Sequence, residues 1–397
     1  MERGPTIQSI LRDSFESVNR SRRLVPHAVR VARLIMKCRT EALGGHRQYC
    51  PHGHWSRIWY NSCRNRSCPG CSFIDRARWL EGKTARLIDC PHHHVIFTIP
   101  EELNELWLSD TRQVATLLMD AVRETLVQLL LTDTQWLGAK PGIFAALHTW
   151  GQSLSLHPHV HALVTAGGLT KDEQWKLPVK QCLLPGKVIM LVFRGILLNR
   201  LELAIKSDEL RLPRGWSSAE ALSLLQRASC KSWNVRVLPR APSGAHVTKY
   251  MAAYIKGGPI GNSRICAVQD GHVRFRIRDH RKTDEEGRPT RTVTTLPIDE
   301  FIRRFLLHVP PPRFHTVRSW GLYANAATHL LDIARILNQQ APYEMPDLMH
   351  WTEFCAFCGD MHPERCPICG APLEQDGFFE PGRSPPPSPT SEGTPQP

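Results

Sequence analysis

The stretch Leu156-His157-Pro158-His159-Val160-His161-Ala162-Leu163-Val164 alternates imidazole and apolar side chains, a period that fits a β-strand with two unlike faces. Val160, Ala162 and Val164 share one face and suit a core. His159 and His161 share the other, with α-carbons roughly 6–7 Å apart. Two neutral imidazoles on one rigid strand are half a ligand set for a divalent ion. A His-x-His pair is short and common, and alone it reads first as a polar sheet face, so the weight falls on its surroundings.

Phe144 to Trp150 reads as a partner strand, with Gly151 to Leu156 as the turn and His159 to Thr165 as the return. Across such an antiparallel pair His148 is the expected third ligand, and Gln152 and His157 compete until the register is known. Three ligands with open positions describe a catalytic ion, since a structural one would be closed. Val95 to Ile99 reads as a further buried strand; of His92, His93 and His94, at most one or two can join a site, because neighbours on a strand face opposite ways. Asn104 to Leu131 reads as one long helix, Val188 to Phe193 as a strand and Leu197 to Ala204 as helical.

The chain has 397 residues, room for two to four domains, and a formal net charge of +13. Charge of that sign points to a polyanionic partner, nucleic acid before membrane. No apolar run reaches membrane-spanning length and Met1 opens a polar segment without a signal-peptide core, so a cytoplasmic protein is expected.

The 13 cysteines are grouped. Cys50-Pro51-His52-Gly53-His54 precedes Cys63 and the knuckle Cys68-Pro69-Gly70-Cys71, so an N-terminal zinc site is expected from four of these thiols and imidazoles. Near the end, Cys355-x-x-Cys358 and Cys366-x-x-Cys369 read as a second, closed zinc ribbon. Cys38, Cys90, Cys182, Cys230 and Cys266 stand alone and read as small buried hydrophobes.

Ala245 to Gly258 reads as a short helix ended by Gly257. Tyr250 and Tyr254, two of only six tyrosines, sit at i and i+4 on one face, with Lys249 and Lys256 beside them. A phenol titrating near 10 becomes a nucleophile only with cationic help at the phosphate it attacks. His272 to Arg278 alternates strictly, so Arg274, Arg276 and Arg278 form one cationic strand face suited to phosphates.

The domains expected are a basic helical segment over 1–45, a zinc-binding domain over 46–82 and a core with the tyrosine helix over 83–265. A basic extension over 266–340, a zinc ribbon over 341–375 and a disordered tail over 376–397 follow.

Taken together these stretches resemble the two-tyrosine transposases of the HUH endonuclease superfamily, in particular the insertion-sequence-91-like, rolling-circle family. The resemblance rests on Ser62-Cys63-Arg64-Asn65-Arg66 with Cys68-Pro69-Gly70-Cys71, His94 to Pro100, His157 to His161, Tyr250 to Ile260, Phe301 to Phe305 with His308-Val309, and Arg318 to Tyr323. One departure is Cys50-Pro51-His52, where relatives commonly carry Cys-x-x-Cys. The resemblance implies an α+β fold, with an antiparallel-sheet HUH core between N- and C-terminal zinc modules. It implies a nickase and strand transferase acting on single-stranded DNA at transposon ends and target. Its metal ligands would be His159 and His161, its nucleophiles Tyr250 and Tyr254 with Lys256 nearby, and its working ion magnesium or manganese. Zinc would be structural, at two sites. No nucleotide cofactor is implied, and Arg64 and Arg66 are expected on DNA with the Arg274–Arg278 strand face. A plasmid relaxase or replication initiator would share this chemistry; a non-catalytic zinc-ribbon regulator would not.

Overall fold

The computed structural model describes residues 4–22, 24–71, 73–178, 183–245, 258–283, 289–348, 350–359 and 362–383. The chain begins with α1 (Ile7–Ser21), α2 (Pro26–Lys37), β1 (Gly45–Tyr49), β2 (Ser56–Tyr60) and α3 (Phe73–Ala85). Next come β3 (His92–Thr98), α4 (Asn104–Ser109), α5 (Thr111–Val127), β4 (Gly142–Trp150), β5 (Leu156–Thr165), β6 (Gly168–Leu169) and β7 (Trp175–Lys176). Then follow α6 (Gly186–Lys206), α7 (Ser218–Ser229), β8 (Val235–Val237), β9 (Ile265–Gln269), β10 (His272–Thr283) and β11 (Pro289–Pro297). The last are α8 (Ile298–Leu307), β12 (Val317–Gly321), α9 (Thr328–Leu337), α10 (Trp351–Gly359) and β13 (Glu374–Phe379). The fold is mixed α and β, with antiparallel sheets.

At its centre is a five-stranded antiparallel sheet in the order β12-β4-β5-β3-β8. Strand alternation gives it two unlike faces. Val95, Phe97, Ala145, Leu147, Val160, Ala162 and Val164 form one, packed against apolar side chains from α4 to α7 in the largest core cluster. Each fully buried large side chain contributes roughly 1.5–3 kcal/mol, so this face fixes the sheet's orientation and turns the histidines to the other.

Two expected elements change. The helix expected over 104–131 breaks at Asp110 (φ −142°, ψ 72°), whose carboxylate accepts the Gln113 N–H to start α5. The strand expected over 188–193 is instead part of α6: Ile189, Met190, Phe193, Leu197, Leu201, Ala204 and Ile205 are buried at helical spacing. Its short β-branched run is overruled by burial on one helix face.

A second core joins α1, α2 and α8 to the three-stranded sheet β11-β10-β9, with Phe15, Ala32, Phe275, Phe301 and Phe305 at its centre. Thr6 opens α1 through a reciprocal capping box with Ser9, and Pro26 starts α2 with its φ already set. Leu154 from the β4–β5 turn and Cys68 from the cysteine loop are buried in the same cluster, which ties both to the strand carrying Arg276. A third sheet, β13-β1-β2, joins the two ends of the chain, so the first four residues of the segment read as tail are strand.

On the histidine face, below the site, Tyr323 is fully buried and stacked on Phe144. Its hydroxyl accepts the Ile88 N–H (3.2 Å) and lies 2.7 Å from His92 Nε2. His92 Nδ1 lies 2.8 Å from the Cys90 carbonyl and must donate to it, so Nε2 accepts the Tyr323 O–H. The Tyr323→Phe variant strands two buried polar groups and is expected to lose about 2–4 kcal/mol of stability in denaturant titration; an unchanged midpoint would contradict this chain of bonds.

On α8, Glu300 accepts hydrogen bonds from Arg303 and Arg304 at 2.7 Å, and these guanidiniums hold its carboxyl down to about 2. Since the folded value is depressed, the stabilisation is present above the ordinary value of 4.5 and is lost as pH falls toward about 2. The Glu300→Gln variant is expected to be less stable at pH 7 by about 1 kcal/mol, a reduced figure because the group is partly exposed, with the gap closing in acid. A gap independent of pH would contradict the assignment.

Candidate metal and nucleic-acid site

The β4–β5 pairing places His148 directly opposite His159, with Ala146 opposite His161. One potential ligand atom from each of His148, His159 and His161 lies within 4.8 Å of the others. That spacing suits one divalent ion after small side-chain rotations, given metal–nitrogen bonds of about 2.1 Å. His148 is therefore the ring the strand register adds, whereas His157 is exposed and Gln152 sits in the turn.

Hydrogen bonds orient two of the rings. His159 Nδ1 lies 2.6 Å from the His157 carbonyl, which only a donor can satisfy, so its lone pair is on Nε2. His161 Nδ1 lies 2.7 Å from His94 Nε2. With His161 as donor there, Nε2 would be free to face an ion and His94 would be the supporting imidazole. Burial pushes His159 and His94 down to about 4, and drives His148 and His161 well below the ordinary imidazole range. All four rings are thus neutral at physiological pH, the form that binds metal.

His148, His159 and His161 line an open cavity of about 780 Å³. Arg236, Arg264, Arg276, Arg278 and Arg291 line it too, with no carboxylate among the described lining residues. Arg276 and Arg278 come from the alternating strand β10, whose Val273 and Phe275 are buried beneath. Arg264 is steadied by the Gln152 and Arg276 carbonyls, both 2.8 Å away. The result is a cationic wall facing an imidazole floor, suited to a phosphate backbone.

Tyr250, Tyr254 and Lys256 lie outside the described residues. The first described residue after them is Gly258, which lines the cavity together with Pro259 and Ile260. Gly258 has φ +74°, and a Cβ there would meet the Ser67 carbonyl at 2.8 Å and Phe305 at 3.3 Å, so glycine is required.

Other expected residues separate. Arg66 turns inward to the Phe314 carbonyl and Thr316 Oγ1, and burial lowers its pKa, so its guanidinium ties the cysteine loop to the approach to β12. Arg64 and Arg274 are exposed, and neither is among the cavity lining.

The N-terminal thiols divide into two groups. Cys63, Cys68 and Cys71 gather with Cys38, a ligand rather than the isolated buried hydrophobe expected from its sequence position. Cys38 Sγ is 3.2 Å from Cys71 Sγ, and hydrogen bonding from Cys63 and Cys68 draws the Cys38 thiol down to about 7. Four thiols at this spacing form a closed tetrahedral zinc set. Cys50 and His52 are not part of it; with His54 they meet Cys369. Of the ribbon expected from Cys355, Cys358, Cys366 and Cys369, Cys369 groups with N-terminal residues, Cys355 joins no cluster of described residues, and the Cys358 side chain lies outside the described residues. Cys90 is buried as expected, and Cys230 is exposed.

Residues 10–99 match a family described as "Transposase zinc-binding domain", and residues 142–329 match one described as "Putative transposase". The chain is 37% identical over 331 residues to "Putative transposase y4qJ" of Sinorhizobium fredii (strain NBRC 101917 / NGR234), covering 81% of each chain. The chain belongs to the insertion-sequence-91-like transposase family. This transposase is also 29% identical over 346 residues to "Transposase for insertion sequence element IS801" of Pseudomonas savastanoi pv. phaseolicola, covering 85% of this chain and 80% of that one. No solved structure matches it. The first match spans Cys38 and the other three thiols of its cluster; the second spans the histidine triad and the arginine wall. No helix among the described residues is long and apolar enough to cross a membrane.

If His94 supports His161, the transposase variant His94→Leu should keep all three ligands yet bind manganese(II) about 10-fold more weakly by paramagnetic titration. Unchanged affinity would remove His94 from the site.

Proposed function

We propose that this transposase cuts and rejoins single-stranded DNA through attack by Tyr250 or Tyr254 on a phosphodiester held in the arginine-walled cavity. The observation that carries the reading is that Gly258, only four residues beyond Tyr254, lines the same cavity as His148, His159 and His161. A four-residue span reaches at most about 14 Å, so the chain itself limits how far the Tyr254 backbone can stray from the rim. Family membership supports DNA as the substrate, and the resemblance to HUH enzymes supports the single strand and the phenolic nucleophile.

In this reading the phosphate backbone lies along Arg276, Arg278 and Arg291, whose charges hold it without reading sequence. His148, His159 and His161 would hold a divalent ion such as magnesium or manganese, which when bound polarises the phosphate oxygens. A tyrosine oxygen forms a bond to phosphorus as the bond from phosphorus to the 3′ oxygen breaks. The phenolic proton is lost to solvent, and the departing strand takes up a proton as its 3′-hydroxyl. The 5′ end stays on the enzyme as a phosphotyrosine, and attack by another 3′-hydroxyl reverses the exchange. One phosphodiester replaces another, so no nucleotide has to be hydrolysed. The second tyrosine would cut a second strand before the first link is resolved, with Lys256 adding positive charge nearby.

A labelled single strand carrying an element end, mixed with the protein and manganese(II), should yield a covalent adduct that survives denaturation. The adduct should vanish in the Tyr250→Phe/Tyr254→Phe double variant and fall by at least 10²-fold in His161→Ala. An adduct persisting in the double variant would show that the nucleophile is misassigned.

A further inference from the structure

We infer that this chain carries a second zinc site shared between its two ends, in which Cys50 and its neighbouring histidines close with the Cys366-x-x-Cys369 knuckle. Cys50 Sγ lies 3.6 Å from Cys369 Sγ and 3.8 Å from His54 Nδ1, and His52 Nδ1 lies 3.6 Å from Cys369 Sγ. These four residues bring one ligand atom each within 4.8 Å of one another, across a sequence gap of more than 300 residues. The buried Cys366 lies at the base of the same knuckle. Soft thiolates with imidazole at this spacing select a tetrahedral zinc ion over magnesium or calcium.

The surrounding structure is built to bring these groups together. β1 ends at Tyr49, so Cys50 is the first residue past the sheet, and the 50–55 turn is closed by the Cys50 N–H on the Trp55 carbonyl at 2.8 Å. On the other side, the Cys366 N–H donates to the Ala371 carbonyl (2.8 Å) and the Gly370 N–H to the Cys366 carbonyl (2.9 Å), making a tight knuckle just before β13. β13 then pairs with β1, Tyr49 opposite Glu374 and Arg47 opposite Asp376. The Tyr49 hydroxyl donates to the Glu374 carboxylate (2.6 Å), and Arg47 pairs with Asp376. Gly44 and Gly45 permit this approach: a Cβ at Gly45 would meet the Trp59 carbonyl at 2.4 Å and the Phe379 ring at 3.0 Å.

The site is therefore a clasp. Two turns with few apolar contacts of their own meet at one end of a three-stranded sheet, and the ion supplies the cohesion that a small core lacks. It also makes the C-terminal segment a structural part of the N-terminal zinc domain. The Cys38-Cys63-Cys68-Cys71 site is complete without it, so the two ions should be lost independently.

Zinc content of the full-length protein by elemental analysis should be two ions per chain. Cys50→Ser, Cys369→Ser and the double variant should each retain one, because both residues serve the same ion. A double variant retaining none, or a Cys369→Ser variant retaining two, would overturn the shared site. Wild-type protein provides a measurement that does not depend on a variant folding: graded chelation followed by alkylation and mass spectrometry. Cys50, Cys366 and Cys369 should become reactive together, in a step distinct from Cys38, Cys63, Cys68 and Cys71. Exposure of Cys50 with the Cys38 group, and of Cys369 with Cys355, would overturn it equally.

Discussion

The antiparallel register between β4 and β5 is the constraint on which the site depends. Because side chains alternate with a period of two, slipping that pairing by one residue would turn His159 and His161 into the apolar core and Val160 toward solvent. The slip is prevented by Ala145, Leu147, Val160, Ala162 and Val164, which are all buried under α4 to α7. The same burial therefore sets His148 opposite His159 and makes three imidazoles converge. Their neutrality has the same origin, since burial against the sheet and beside one another disfavours the imidazolium form.

The cavity needs a second body to become a nucleic-acid site. Sheet β11-β10-β9, held by Phe275, Phe301 and Phe305, sets Arg276 and Arg278 on the wall above the histidines. The Leu154 side chain on the β4–β5 turn is buried in that second core, so the imidazole floor and the arginine wall are anchored by one cluster. Cys68 is buried there too. The zinc-binding loop thus supports the geometry at the cavity's rim, where Gly258 sits against the Ser67 carbonyl.

Much of this was legible in the sequence where a period or a pairing carries it. The His-x-His strand, the arginine-bearing strand with Phe275 inward, and the Phe301-Ile302-Phe305-Leu306 helix face all follow from alternation or helical spacing. The partitioning of the thiols was not legible: Cys38 lies 25 residues before Cys63 with no paired spacing, and Cys50 finds Cys369 only because β13 returns to β1. Arg236, Arg264 and Arg291 are likewise isolated in sequence and meet only through sheet packing. His94 was one of three adjacent histidines; it shares a sheet face with His92, and only its place along β3, diagonal to His161, separates it from His92, which bonds Tyr323. The α6 region misled because a short β-branched run carries no information about which face will be covered.

The central claim is that one phosphate can be held between the imidazole floor and a tyrosine of the 246–257 segment. It is tested most directly by a crystal structure of the Tyr250→Phe variant with manganese(II) and a single-stranded oligonucleotide, using the anomalous signal of the ion. The account predicts one manganese peak among His148, His159 and His161, with a backbone phosphate beside it and the Tyr254 oxygen within about 4 Å of its phosphorus. Manganese bound elsewhere, or a Tyr254 hydroxyl buried away from the cavity, would contradict it.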